Sequence, residues 1–128
     1  MITAEQLTYS VGKKTILDDV SVHIPSSAVT AILGPNGSGK STLLKCLTAV
    51  LEPDRGNITL EEKPLAEYSL SELARTRAVL SQSTPVSFPF TVFEIVMMGR
   101  NPYVTSSEGE KDHEIVQAMD DLRDASVD

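Results

Sequence analysis

Gly34-Pro35-Asn36-Gly37-Ser38-Gly39-Lys40-Ser41 is the stretch on which the fold of this chain turns. It satisfies G-x-x-x-x-G-K-S/T, the pattern of a phosphate-binding loop. Ahead of it, Ala28-Val29-Thr30-Ala31-Ile32-Leu33 is short, apolar and β-branched, which predicts a buried strand. Behind it, residues 41–50 (Ser41-Thr42-Leu43-Leu44-Lys45-Cys46-Leu47-Thr48-Ala49-Val50) predict a helix. Strand, glycine loop and helix together are the context that gives the motif meaning.

The residue types follow from the chemistry. A polyphosphate wrapped by backbone N–H groups at close range leaves no room for a Cβ. Gly34, Gly37 and Gly39 remove it and permit positive φ. The loop then feeds a helix N-terminus, whose free N–H groups and dipole favour an anion. Lys40 is expected to set its ammonium on the β- and γ-phosphates, and the Ser41 hydroxyl to ligate Mg²⁺, a hard cation that takes few protein oxygens. An ordinary turn between strand and helix would need one or two glycines, not three followed by a Lys-Ser pair.

Composition narrows the class. Hydrophobic residues make up 41% and charged residues 23% of the 128, which is globular rather than disordered. A net charge of −7 argues against a nucleic-acid surface, where a basic stripe is expected. The single Cys46 cannot form an internal disulfide, which fits a reducing compartment; inside the expected helix it reads as a small buried apolar residue. Residues 1–10 lack the basic start and apolar run of a signal peptide, and no run approaches the ~20 apolar residues of a membrane span. The expectation is a soluble or peripheral protein.

Along the chain, residues 2–10 predict a strand ending at Tyr9 and Ser10, with a turn at Gly12 and a second strand over 15–24. The two should form an antiparallel pair beside the strand that feeds the loop. Pro53-Asp54-Arg55-Gly56 predicts a turn and Asn57-Ile58-Thr59-Leu60 a short strand. Ser-x-x-Glu from Ser69 to Glu72 predicts a short helix over 70–75. Ala78-Val79-Leu80-Ser81-Gln82 reads as a compact strand and residues 83–89 as a loop. Further capping boxes start at Thr91 and Ser107; Gly99 should stop the first of those helices, and Ile115, Val116, Met119 and Leu122 form one apolar face of the second. No internal repeat or low-complexity segment is present.

The loop's full wording, continued through Thr42-Leu43-Leu44, resembles the Walker A region of ABC-transporter ATPases. Tyr9 matches the aromatic that stacks on adenine in that family. Pro53-Asp54-Arg55-Gly56 matches its turn after the first helix, and Gln82 its Q-loop glutamine. Residues 77–82, Phe88-Pro89-Phe90-Thr91-Val92 and Met98-Gly99-Arg100-Asn101-Pro102 are similar to the importer branch for haemin, ferric siderophores and vitamin B12, and most to the haemin-importer ATPases. The resemblance implies an α/β P-loop NTPase core with an N-terminal antiparallel β-subdomain over residues 1–82, and the start of a helical subdomain over 83–128. It implies ATP contacts at Tyr9, Gly34, Pro35, Asn36, Gly37, Ser38, Gly39, Lys40, Ser41 and Thr42, with Mg²⁺ held by Ser41 and Gln82. Lys40 and Gln82 would serve hydrolysis. The partners would be membrane-spanning permease subunits and a second ATP-binding subunit, at the cytoplasmic face of the cell's inner membrane. The family's Leu-Ser-Gly-Gly-Gln signature, Walker B acid and switch histidine are missing, so the chain looks like the N-terminal part of such a subunit. Met119-Asp120-Asp121 does not replace Walker B, because these aspartates follow a helical period rather than an apolar strand.

Several residues carry two readings. Phe88, Phe90, Phe93 and Met98 either form a groove for a helix of a membrane subunit or fill the core of the helical lobe. His113 reads as solvated and His23 as structural. Two other functions use the same loop. A P-loop kinase would need lid arginines, for which Arg75, Arg77 and Arg100 qualify by type. A non-catalytic nucleotide-binding module would need only the loop.

Overall fold

A long hairpin opens the chain. Apolar residues recur through β1 (Ile2–Val11) and β2 (Lys14–Ile24), and Gly12 turns between them at φ 59°. The strands pair antiparallel from Ile2 opposite Ile24 to Val11 opposite Lys14. The register is not continuous. Gln6 (φ 52°) and Asp19 (φ 50°) are left-handed, and the pairing shifts between Ala4 and Leu7. Such bulges leave ladder donors to be satisfied locally. Here Gln6 N–H donates to Ser21 Oγ at 2.9 Å.

β3 (Arg55–Leu60) covers the other edge of β1, and β4 (Lys63–Pro64) pairs with β3, giving the antiparallel order β2-β1-β3-β4. Glu61 and Glu62 both take positive φ in the two-residue β3–β4 turn, the backbone that suits a tight hairpin. Gly56 (φ 94°) lets β3 reach β1, since a Cβ there would stand 2.5 Å from the Glu5 carbonyl oxygen.

α1 (Lys40–Leu47) buries Leu43, Cys46 and Leu47, spaced i, i+3, i+4 on one face. It packs on β2, whose Leu17 is buried, as are Ala4 and Leu7 of β1. The helix stops short of the expected residue 50. Ala49 is left-handed (φ 54°), Ala49 N–H donates to Cys46 O at 3.0 Å and Val50 N–H to Lys45 O at 2.9 Å. This is a Schellman closure built on alanine where glycine is usual, which the sequence did not announce.

The structure describes residues 1–80, 89–104 and 109–125, with side chains up to residue 119, and is a computed structural model. Two compact units divide the chain, Met1–Ser69 and Leu70–Asp128. In the second, α2 (Leu70–Thr76) buries Leu73, and Arg75 Nε donates to the Pro102 carbonyl at 2.7 Å. α3 (Val92–Met98) packs on α4 (Glu110–Ala125), with Met97 and Val116 buried. Arg100 Nε donates to Asp112 Oδ1 at 2.8 Å, and the Arg75 and Arg100 guanidiniums lie 5.5 and 4.6 Å from the centre of the Tyr103 ring.

The expected strand at 28–33 is a correction, as is the described part, 78–80, of the one expected at 78–82, whose residues 81 and 82 lie outside the described residues. Residues 28–33 and 78–80 are in no strand; Val29, Leu33 and Leu80 are 101%, 88% and 95% exposed. A buried strand needs a hydrogen-bonded neighbour and cover on its faces, and the described residues supply neither for these segments. Gly99 follows α3 as expected but in the right-handed region (φ −63°), with its N–H on Val96 O at 3.0 Å. Ser107 lies outside the described residues; α4 begins instead with Asp112 Oδ2 accepting from Gly109 N–H at 3.2 Å.

Candidate nucleotide-binding site

The loop ends where α1 begins. Gly39 is the residue that caps α1, at φ 91°, and its carbonyl accepts from Leu43 N–H at 2.8 Å. A Cβ on Gly39 would stand 2.9 Å from the Ile16 carbonyl and 3.1 Å from Leu17 Cδ2, so glycine alone lets the loop seat against β2. α1 has no side-chain cap and no acid in its first turn. Its leading N–H groups and positive dipole end therefore suit an anion.

Within the loop, Ser38 N–H donates to Pro35 O at 3.3 Å, and Gly37 turns at φ 81° with nothing within 4 Å of where its Cβ would be. Gly34 departs from expectation: its φ is not positive, and a Cβ there would meet only Ser38 Oγ at 2.9 Å and lighter contacts beyond. Lys40 curls back over the loop, its Nζ donating to Gly34 O at 2.8 Å and Pro35 O at 2.7 Å. The ammonium thus already sits over the strip of backbone that would wrap a phosphate. Pro35, Asn36 and Ser41 are exposed, and Thr42 is half-buried on the first turn of α1.

Tyr9 is half-buried on β1, directly opposite Leu17 of β2. Leu17 also touches Gly39. The aromatic and the end of the glycine loop therefore both lie beside one strand residue. Gln82 and Phe88 lie outside the described residues. Asp120 and Asp121 fall within α4, a helix as their period predicted.

Of the two-way readings, Phe90 and Met98 are 45% and 43% exposed; the buried methionine of α3 is Met97. Phe93 stacks on His113 with ring centres 5.5 Å apart, in an open cleft lined also by Glu114, Gln117 and Ala118. His113 is exposed, and His23 bonds Thr3 Oγ1 across the hairpin at 3.0 Å. Arg75 and Arg100 are engaged with Pro102, Asp112 and Tyr103, which does not suit kinase lid residues. Burial first, and the Asp54 charge second, push the Cys46 thiol up, in keeping with an inert core residue.

Asp54 is what sequence reasoning missed. Its N–H donates to Thr8 O at 2.8 Å and its Oδ2 accepts from Ser10 N–H at 2.7 Å, so it clamps β1 on either side of Tyr9. The only signal was an aspartate in a Pro…Gly turn, a type that often bonds nearby backbone.

No group of three or more His, Cys, Asp or Glu among the described residues could hold a metal ion. Mg²⁺ would have to arrive with phosphates and take the Ser41 hydroxyl, a donor set that fits a cation usually held by one or two protein oxygens plus substrate.

A glycine loop capping a helix, a lysine folded over it and an aromatic across one strand define a P-loop nucleotide-binding protein. The sequence matches the ABC transporter family over residues 17–127, and the chain belongs to that family. It is 48% identical over 119 residues to the hemin import ATP-binding protein HmuV of Escherichia coli O157:H7, spanning 93% of this chain and 45% of that protein. To the protein of the same name from Thermobifida fusca (strain YX) it is 47% identical over 116 residues, 91% of this chain and 41% of the relative. A nucleotide-free ATP-binding cassette from an ABC transporter superposes with TM-score 0.68 at 31% identity, covering 88% of this chain and 44% of that one. A dimeric, post-hydrolysis ATP-binding cassette bound to ADP and Pi superposes with TM-score 0.73 at 23% identity, over 92% and 55% respectively, a likeness of fold alone. The chain thus spans less than half the length of these curated relatives.

Proposed function

We propose that this chain binds Mg²⁺-ATP on residues 34–42 and belongs to a subunit whose ATP hydrolysis powers an ABC importer of haemin or a related iron chelate. The observation that carries the binding is Lys40 folded over the Gly34 and Pro35 carbonyls at the uncapped start of α1. The phosphates would take the loop N–H groups and exchange those carbonyls for themselves on Nζ. Ser41 would hold Mg²⁺, with Gln82 as its second protein ligand, and Tyr9 would stack on the adenine. When bound, Mg²⁺ neutralises phosphate charge. The chain's own part is positioning and electrostatics, which is most of what phosphoryl transfer asks of a protein.

The haemin substrate rests on the likeness to the HmuV proteins. Membrane permease subunits and a second ATP-binding subunit would complete the machine at the cytoplasmic face of the inner membrane. No helix among the described residues is long and apolar enough to cross a membrane, and the acid-rich composition favours no nucleic-acid partner.

Calorimetry with Mg²⁺-ATP tests the loop. A charge-assisted contact contributes ~1.5–3 kcal/mol, so Lys40→Ala should weaken affinity about ten-fold or more. Unchanged affinity in a folded variant would remove the loop from the binding site.

A further inference from the structure

We propose that Asp54 is a positioning residue for Tyr9, setting the angle at which the ring meets a purine base; this rests on the adenine-stacking role given to Tyr9 above. The argument starts from the ladder. Successive residues of a strand turn their N–H and C=O groups to opposite edges, so Thr8 and Ser10 share one edge and Tyr9 bonds toward the other. Tyr9 faces Leu17 of β2, but the register shifts on both sides of it, between Leu7 and Tyr9 and between Tyr9 and Ser10. On the opposite edge, β3 stops short: its last pair with β1 is Thr8 with Arg55. The stretch of β1 that carries the ring is thus paired with β2 in a broken register, and β3 does not run alongside it past Thr8.

Asp54 fills that place. Its backbone N–H takes Thr8 O and its carboxylate takes Ser10 N–H, a side chain standing in for the next residue of a paired strand. These two bonds fix the peptides before and after Tyr9, and so the direction of its Cα–Cβ bond. Asp54 lies in the turn that follows α1, and its charge is felt at Cys46 inside that helix. A stacked ring that tilts loses overlap with the base but leaves the phosphate contacts untouched, which makes the role separable from general stability.

The experiment measures ATP and tripolyphosphate affinity of the chain by calorimetry in Asp54→Ala, Asp54→Asn, Tyr9→Ala and the Asp54→Ala/Tyr9→Ala double variant. Asp54→Ala removes one backbone hydrogen bond and should weaken ATP about two- to ten-fold, with tripolyphosphate affinity unmoved. Asp54→Asn keeps the acceptor oxygen and should restore ATP affinity. In the Tyr9→Ala background, Asp54→Ala should cost nothing further, since there is no ring left to aim. An equal loss in both backgrounds, a parallel loss of tripolyphosphate affinity, or an Asn variant as weak as the Ala variant would each overturn the proposal. If Tyr9→Ala lowers ATP affinity and Asp54→Ala does not, the stacking role stands and the positioning role falls. If Tyr9→Ala changes nothing, both fall together.

Discussion

A base-stacking residue needs a well-aimed π-face but no hydroxyl. If Tyr9 acts through its ring, Tyr9→Phe should leave nucleotide affinity unchanged, whereas Tyr9→Ala should lose the ~1–3 kcal/mol that base–aromatic stacking contributes. ATP, GTP and CTP should suffer alike, because every base offers a face. Equilibrium titration with the three nucleotides checks this; a Phe variant as weak as the Ala variant would shift the role to the hydroxyl. The placing of Lys40 over its loop is a local matter, because its neighbours in space are its neighbours in the chain: Nζ reaches carbonyls five and six residues back. The role of Asp54 was not legible in the sequence, because the Ser10 N–H it holds lies 44 residues away. Separation along the chain also hid the reason for Gly39. The motif asks for glycine near a phosphate, but the nearest obstacle to a Cβ is the Ile16 carbonyl of β2.

A start signal written in adjacent residues can be read directly, whereas a strand with no partner does not form. The helix starting after Thr91 is the clearest case. Thr91 Oγ1 accepts from Glu94 N–H at 3.2 Å and Glu94 Oε2 accepts from Thr91 N–H at 2.7 Å, so four consecutive residues close both halves of the capping box. The strand expected at 28–33 has the right residues, yet β-branching only favours a ladder that another strand must supply. The capping box also makes a prediction about acid. The backbone hydrogen bond from Thr91, then its hydroxyl, hold the Glu94 carboxyl below its usual value; the hydrogen bond from Arg100, then Gly109 N–H, do the same for Asp112. A carboxyl depressed in the folded state contributes stability that is whole above its unfolded pKa and is lost as pH falls through the folded one. The helices of the second unit should therefore loosen on acidification below the ordinary carboxylate range, about pH 4. Thr91→Ala should cost about 1 kcal/mol near neutral pH and flatten that acid limb. Far-ultraviolet dichroism against pH and urea reads both; an acid limb identical in the variant would break the link to the box.

At the scale of the molecule, the sheet and the glycine loop lie in a chain that spans less than half the length of the curated relatives it matches. Val29, Leu33 and Leu80 stand in water on segments that pair with nothing described. Unpaired apolar segments invite association, so the chain by itself should scatter light at modest concentration, and Val29→Lys with Leu33→Lys should reduce the scatter. Equal scatter in both would place the sticky surface elsewhere. Turnover is a harder demand than binding. Residues 34–42 supply N–H groups, one ammonium and three hydroxyls, but no carboxylate to polarise water. Asp120 and Asp121 lie along α4 rather than at the end of a strand beside the loop. General acid–base help is typically worth ~10²–10⁴ in rate, and a single preorganised donor on the transferred group ~10²–10³. With no Walker B acid and no Leu-Ser-Gly-Gly-Gln signature in the sequence to add a clamp to the donors of the loop, the chain should bind ATP and still release no phosphate above background with Mg²⁺ present. The measurement is inorganic phosphate against time, with Lys40→Ala as control. Steady release that disappears in that variant would mean that these 128 residues carry their own base, and the loop would have to be read again as the centre of a complete catalyst.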